Sequence, residues 1–235
     1  MSGQATTALT PESAVDRPST LRWLGIAALL GIGLGVMSVV GDFTIDDGPA
    51  ILLNALANAM GPWVVVAFIA GVAAGRPVAG VVAGVIALAV AVATYYLGAV
   101  IFWGDRVPDL RVTILVWLAA GLAAGSILGV AGGTWAGADR RWRPLAAALL
   151  SGGLLAEAAY YANDLANCNC LDATRPALYV VLINFAVALV APIILVASGS
   201  RLRTYAYAAG LAVGGYAAIV LVFAAVRASF FVVSG

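Results

Sequence analysis

Long apolar stretches, each followed by a short polar break, constrain this 235-residue chain more than any other feature of its sequence. A helix needs about 20 apolar residues to cross the hydrocarbon core of a bilayer. Seven windows reach or approach that length: 22–41, 63–75, 78–103, 112–137, 144–162, 177–198 and 204–226. The sequence therefore predicts an all-α fold, a polytopic transmembrane helix bundle of about seven spans in contact with the lipid bilayer.

The composition excludes the usual soluble classes. Apolar residues make up 63% of the chain and charged residues 10%, whereas a soluble domain carries roughly 25% charged residues. No soluble fold of this length has enough interior to bury so much apolar surface. The net charge of +1 also gives no electrostatic reason to expect a nucleic-acid partner.

Several residue types that catalysis commonly uses are missing. The chain has no histidine and no lysine, which excludes a Schiff base, a Ser-His-Asp triad and the usual haem and copper ligands. It has no GxxxxGK[ST] phosphate loop. We therefore expect no cofactor and no metal site, and the residue inventory favours a protein that is not an enzyme.

The distribution of arginine predicts the orientation, because cytoplasmic loops carry an excess of basic residues. With the N-terminus inside, eight arginines are cytoplasmic: Arg17, Arg22, Arg76, Arg140, Arg141, Arg143, Arg201 and Arg203. Three lie in outer loops: Arg106, Arg111 and Arg175. We expect the N-terminus inside, the C-terminus outside and the chain in the plasma membrane.

The first 21 residues differ in composition from the rest of the chain. They are polar, rich in Ser, Thr, Ala and Pro, and carry both signs of charge. Such a segment cannot bury enough apolar surface to fold. We predict a disordered cytoplasmic tail over 1–21 and a single transmembrane helical domain over 22–235.

Glycines recur at four-residue spacing inside several windows. The longest row is Gly121, Gly125, Gly129 and Gly133, and shorter rows occur at Gly71/Gly75, Gly80/Gly84 and Gly210/Gly214. Small residues in such rows allow helix backbones to approach closely in lipid. They predict close helix packing, and a row on the outside could serve a homo-oligomer.

Polar side chains inside the spans are the functional candidates, because they are costly at membrane depth. Glu157 is the only acid well inside a span, and Tyr161 and Asp164 share its helix face. Asn184 enters another span from the outside. A buried acid without a cation should be protonated or bonded to water, so Glu157 is either a ligand site or a structural hydrogen bond between helices.

The segment 49–62 is unusual because it is short, apolar and ends in Gly61-Pro62. It carries Asn54 and Asn58 one helical turn apart. One interpretation is a discontinuous span, whose break often lines a binding site. The other is a helix lying flat at the outer interface with both asparagines in water.

Together these residues predict an outward-facing polar pocket for a small amphipathic ligand. Its candidate ligand-binding residues are Glu157, Asn54, Asn58, Tyr96, Tyr161 and Asn184. The alternative for the tyrosines is an aromatic belt at the membrane interface.

Two cysteines, Cys168 and Cys170, lie in the predicted outer loop 163–176, between the fifth and sixth apolar windows. An oxidising exterior permits a disulfide there. A C-x-C bridge closes a small ring, so it would be strained and easily reduced.

The segment Leu53-Asn54-Ala-Leu-Ala-Asn58-x-x-Gly-Pro62-Trp63-x-x-x-Ala67-Phe68-x-x-Gly71 resembles a signature of an uncharacterised family of small actinobacterial multi-pass membrane proteins. That family carries a domain of unknown function, and the resemblance covers nearly the whole chain past residue 21. It implies a membrane protein and no particular activity.

Three functional classes follow from the sequence. The favoured class is a small-ligand-binding or permease-type protein with Glu157 as its proton or hydrogen-bond site. A membrane-embedded enzyme on a lipid or isoprenoid substrate would need Glu157 and Asp164 as acid and base. A structural or regulatory subunit would use the glycine rows to dock a membrane partner.

Overall fold

The computed structural model describes residues 19–43, 50–57, 59–167 and 174–233, and these residues form helices with no strand. Its eight α-helices are α1 (Thr20–Phe43), α2 (Ala50–Ala57), α3 (Gly61–Ala74), α4 (Pro77–Gly98), α5 (Val107–Ala136), α6 (Arg143–Asn167), α7 (Thr174–Leu195) and α8 (Arg201–Val233). A π-helical segment, Ala99–Trp103, extends α4. The prediction of an all-α fold is confirmed.

Six of these helices are long and apolar enough to cross a membrane: α1, α4 with its extension, α5, α6, α7 and α8. The short helices α2 and α3 pass the same test as a pair, although they are bent by 61° relative to each other. We call this pair the broken span. The described helices therefore amount to six or seven spans, in agreement with the predicted seven windows.

Short arginine-containing turns join the helices in pairs. Between α3 and α4, Gly75 takes a left-handed conformation with a φ of 69°, and its N–H donates to the carbonyls of Gly71 and Val72. Glycine adopts this conformation without steric cost. Pro77 then begins α4 at a position where its missing N–H has no intrahelical partner to lose. This turn lies at what we call the arginine end of the bundle, and Asp42, Asp105 and Asp164 lie at the opposite, acidic end.

The helices pack in two groups that meet at the broken span and along α5, which contacts α6 and α8. In the first, α4 packs against α1, α3 and α5. In the second, α6 packs against α7 and α8. The broken span lies between the groups, because α2 contacts α1 and α7 while α3 contacts α4, α5 and α6.

Glycine sets the closest approach between α3, α4 and α5. A Cβ added at Gly80 or Gly84 would overlap the backbone carbonyl of Gly129 or Gly125, and one added at Gly125 would lie 2.8 Å from the Gly84 oxygen. Gly71 of α3 meets Gly129 in the same way. Backbone contact of this kind replaces the hydrophobic effect as the source of association in lipid. The predicted role of these glycines in helix packing is confirmed.

Other glycines do not all follow that prediction. Gly31 and Gly35 of α1 pack against the α4 backbone, whereas Gly33 has no atom within 4 Å of the position of a Cβ. Gly210 and Gly214 of α8 also face open space among the described residues. Packing within the chain therefore uses Gly31 and Gly35 of α1, Gly71 of α3 and the rows on α4 and α5, whereas Gly75 and the α8 row meet no atom within 4 Å among the described residues.

We predict that Gly84→Ala lowers the free energy of unfolding by about 1–3 kcal/mol, the usual cost of overpacking. The added methyl would force α4 away from the Gly125 carbonyl. Gly33→Ala is the matched control, because its methyl meets nothing and alanine is the better helix former. Unfolding by titration with a denaturing detergent, followed by circular dichroism, measures the free energy of both variants. Equal destabilisation of the two variants would contradict the packing role of Gly84.

Candidate functional site

Glu157 of α6 lies at the centre of the best-defined polar contact in the bundle. Its side chain is 1% exposed. One carboxylate oxygen, Oε1, accepts a hydrogen bond from the Met60 N–H. The other, Oε2, accepts from Nδ2 of Asn184 on α7 at 2.6 Å. The carboxylate thus joins α6 and α7 to the bend in the broken span.

The position of this carboxylate follows from how α3 begins. The first amides of a helix have no intrahelical acceptor, and the helix dipole makes that end attractive to an anion. Met60 occupies the N-cap of α3 and offers no side-chain cap. Glu157 therefore supplies from another helix the acceptor that the local sequence lacks. It caps the second half of the broken span.

Gly61 is the residue that admits the carboxylate. A Cβ at this position would overlap Oδ1 of Asn184 and lie 3.0 Å from Oε2 of Glu157. The absence of a side chain lets both polar groups reach the end of α3. Pro62, the next residue, costs no hydrogen bond there because its position in the first turn needs no N–H.

A cavity of about 110 Å³ lies beside the bend of the broken span, with Met60 in its wall. It is partly open and is lined by parts of α1, α4, α5 and the broken span. The described residues that line it are Ser38, Ala57, Ala59, Met60, Trp63, Val92, Tyr95, Tyr96 and Trp117. We call it the aromatic cavity, because two tryptophans and two tyrosines contribute to its wall.

The side-chain sizes along α4 and α5 explain why the cavity lies near the acidic end. Towards the arginine end, the facing positions of the two helices are glycines in backbone contact. One turn further, Gly121 of α5 faces Leu88, with ordinary contact at 3.5 Å. After another turn, Trp117 of α5 and Val92 of α4 line the cavity, and Tyr96, one turn beyond Val92, lines it as well. The larger side chains near the acidic end keep α4 and α5 apart and leave space between them.

One fully buried polar atom of the cavity wall lacks a hydrogen-bond partner among the described residues. The Ser38 side chain is 2% exposed, and its Oγ has no hydrogen-bond partner among the described residues. A buried hydroxyl without a partner is costly in any medium that lacks water. The Tyr95 hydroxyl, by contrast, donates to Oδ2 of Asp42 at 2.8 Å.

The structure divides the predicted pocket residues among several places. Glu157 and Asn184 are in direct contact, and Tyr96 lines the aromatic cavity. Tyr161 packs against a small apolar cluster that joins α2 to α7. Asn54 donates through Nδ2 to the carbonyl of Gly41 at 3.1 Å. The predicted set is thus distributed over the Glu157–Asn184 contact, the wall of the aromatic cavity and the packing of α2.

Three predicted positions, Asn58, Cys168 and Cys170, lie outside the described residues, as does most of the predicted tail.

The packing of α2 bears on the two interpretations of segment 49–62. Ala55 and Ala57 are buried, and α2 contacts both α1 and α7. Asn54 is half-buried and bonded to α1 rather than lying in water. These contacts fit a discontinuous span packed within protein, where irregular backbone is tolerated.

Sequence reasoning missed several residues that form this region. Ser38, Trp63 and Trp117 line the cavity, and the main-chain amide of Met60 meets Glu157. Ser38 carried a usable signal, since it is a polar residue inside the first apolar window. The amide carried none, because every residue except proline has one.

We predict that Glu157→Ala lowers the free energy of unfolding by about 1–3 kcal/mol, because it leaves the Met60 amide and the Asn184 side chain without an acceptor. Glu157→Gln should cost less, since its amide oxygen can still accept one of the two bonds. Asp164→Ala, which removes an exposed acid from the same helix, is the control and should change little. Thermal unfolding in detergent measures all three, and a Glu157→Ala variant as stable as Asp164→Ala would contradict the capping role.

Comparison with known proteins bears on family rather than activity. No curated protein and no solved structure was found to match the chain. A model of a family of unknown function, DUF6518, matches residues 15–228. The resemblance to an uncharacterised family is thereby confirmed, while its actinobacterial range stays a prediction. The chain belongs to this family of unknown function, DUF6518.

Proposed function

We propose that this protein is a small-ligand-binding or permease-type protein of the plasma membrane, and that the aromatic cavity is its ligand site. The observation that carries the proposal is the unpartnered Ser38 hydroxyl in the wall of a cavity that otherwise consists mostly of apolar and aromatic side chains. Ligand sites are typically apolar with a few polar groups that orient the ligand.

The size of the cavity limits what it can hold. An engineered apolar cavity of about 150 Å³ binds benzene, so a cavity of about 110 Å³ suits a compact group of similar or smaller size. The ligand is therefore a small amphipathic molecule, or a larger one that places a compact group in the cavity.

The broken span gives the site a way to change shape. Discontinuous helices line the substrate sites of many transporters, in which one bundle of helices rocks against the other around the site. Met60 belongs to both features here, since it lines the cavity and its N–H binds Glu157. In this proposal Glu157 and Asn184 are positioning residues that hold the bend, while Tyr96 and Ser38 contact the ligand.

The proposed orientation has the N-terminus in the cytoplasm and the C-terminus outside. The arginine end then faces the cytoplasm, and the aromatic cavity lies closer to the exterior. This placement rests on the arginine bias of the loops.

We predict that a reporter active only in the cytoplasm works when fused before residue 1 and fails when fused after residue 235. A reporter active only outside should give the opposite pattern. The control is a fusion in the Arg140–Trp142 turn, which should behave like the N-terminal fusion. Cytoplasmic activity at both ends would show that the number of spans is even and would overturn the proposed topology.

We predict that small amphipaths raise the melting temperature of the purified chain in detergent, since a ligand that binds only the folded state stabilises it. The probe panel is phenol, cyclohexanol, tetramethylammonium chloride and choline chloride. Ser38→Leu, which places a larger side chain at the cavity wall, should abolish the shift.

Ser126→Leu is the matched control, because the Ser126 hydroxyl bonds only to the Leu122 carbonyl of its own helix. The Ser126→Leu variant also corrects for probes that change the melting temperature by acting on the detergent. If no probe stabilises wild type more than Ser38→Leu, the aromatic cavity is not a ligand site.

A further inference from the structure

We infer that the ligand of the aromatic cavity is a small organic cation that carries a methylated ammonium group. The inference rests on the proposed function, in which this cavity is the ligand site, and it names the chemical class of the ligand. It is carried by the aromatic wall, by the placement of the nearby carboxylates and by the lack of a carboxylate among the described lining residues.

Four of the nine lining residues are large aromatics, and they come from three helices: Trp63 from α3, Tyr95 and Tyr96 from α4, and Trp117 from α5. The indole rings of Trp63 and Trp117 are 6.4 Å apart with an interplanar angle of 24°, and the Tyr95 and Tyr96 rings meet edge to face at 5.1 Å. The faces of such rings carry negative potential. Aromatic walls of this kind bind quaternary ammonium groups by cation–π attraction.

Two carboxylates lie just behind the wall without lining the cavity. Asp42 accepts the hydrogen bond of the Tyr95 hydroxyl at 2.8 Å, which increases the electron density of that ring. Glu157 binds the main-chain N–H of Met60, another lining residue. Among the described residues that line the cavity there is no arginine. The surroundings therefore favour positive charge inside the cavity without offering a direct ion pair.

This arrangement distinguishes a methylated ammonium from other cations. A primary amine or a guanidinium brings several N–H donors, each of which needs an acceptor once water is removed. Among the described lining residues, the side-chain oxygens are the hydroxyls of Ser38, Tyr95 and Tyr96, with no carboxylate to pair with such donors. A quaternary ammonium has no N–H to satisfy, and its charge is spread over methyl groups that pack against rings. Ser38 can then bond to a hydroxyl on the rest of the ligand.

An anion suits the cavity poorly. It would need positive groups or several donors directed inward, and it would lie near Asp42 and Glu157. A neutral ligand of the same shape would gain the apolar contacts but lose the attraction to the rings. The comparison of a cation with its neutral isostere therefore isolates the charge.

The test uses the full chain in a neutral maltoside detergent and two probes of nearly identical shape. Choline carries a trimethylammonium group, and 3,3-dimethyl-1-butanol replaces that nitrogen with carbon. We expect isothermal titration calorimetry to give a Kd for choline about tenfold lower than for the isostere, the scale of a desolvated cation–π contact. Sodium chloride at matched concentration controls for ionic strength.

The outcomes separate this inference from the proposed function. Equal affinity for choline and its isostere, or binding of phenol without choline, would overturn the cation inference while the cavity remains a ligand site. Absence of binding by these probes and by the whole amphipath panel would overturn both.

Variants test whether the rings supply the attraction. Trp63→Leu should raise the Kd for choline about tenfold and change that for the isostere much less, whereas Trp63→Phe should keep most of the affinity. Trp142→Leu is the matched control, because Trp142 lies exposed at the arginine end. A Trp63→Leu variant that weakens both probes equally would show that shape alone matters and would overturn the inference.

Tyr96→Leu and Tyr96→Phe form an independent pair on a different helix. If the Trp63 variants are not monodisperse in size-exclusion chromatography, the Tyr96 variants test whether the aromatic rings supply the attraction to choline. The comparison of choline with its isostere in the unaltered chain needs no variant at all.

Discussion

Inside a bilayer core, every backbone N–H and C=O must find its partner within the protein, and this constraint shapes the centre of the bundle. The bend between α2 and α3 leaves amides at the start of α3 without an intrahelical acceptor. Glu157 supplies that acceptor from α6, and Asn184 of α7 binds the same carboxylate. One side chain thus stabilises the break and ties α6 and α7, of the second group of helices, to it.

The second influence on the site is the change in residue size along α4 and α5. Glycines bring the two backbones into contact near the arginine end, and Trp117 of α5 and Tyr96 of α4 line the cavity near the acidic end. Close contact at one end and large rings at the other leave space beside the bend. The aromatic cavity is therefore a consequence of packing on one side and of the capped break on the other.

Glu157 was recognisable from the sequence because a lone acid in an apolar window is costly and rare. Its contact with the Met60 amide could not be recognised from the sequence, because nearly every residue has a main-chain amide. Asn54 and Tyr161 carried the same kind of polar signal as Glu157, yet one bonds to α1 and the other packs on an apolar cluster. Depth along a helix can be read from sequence, but the direction in which a side chain points depends on its neighbours.

The sequence by itself determined the helical class, the positions of the windows and the glycine rows available for packing, because apolar length and residue size are local properties. It also marked Gly61-Pro62 as a break. Only the tertiary structure decided which glycine rows are covered, which helix caps the break and which aromatic rings share a cavity. Those outcomes depend on contacts between residues far apart in the chain. They are set by the rotation of each helix within the bundle, which the sequence of a single window does not contain.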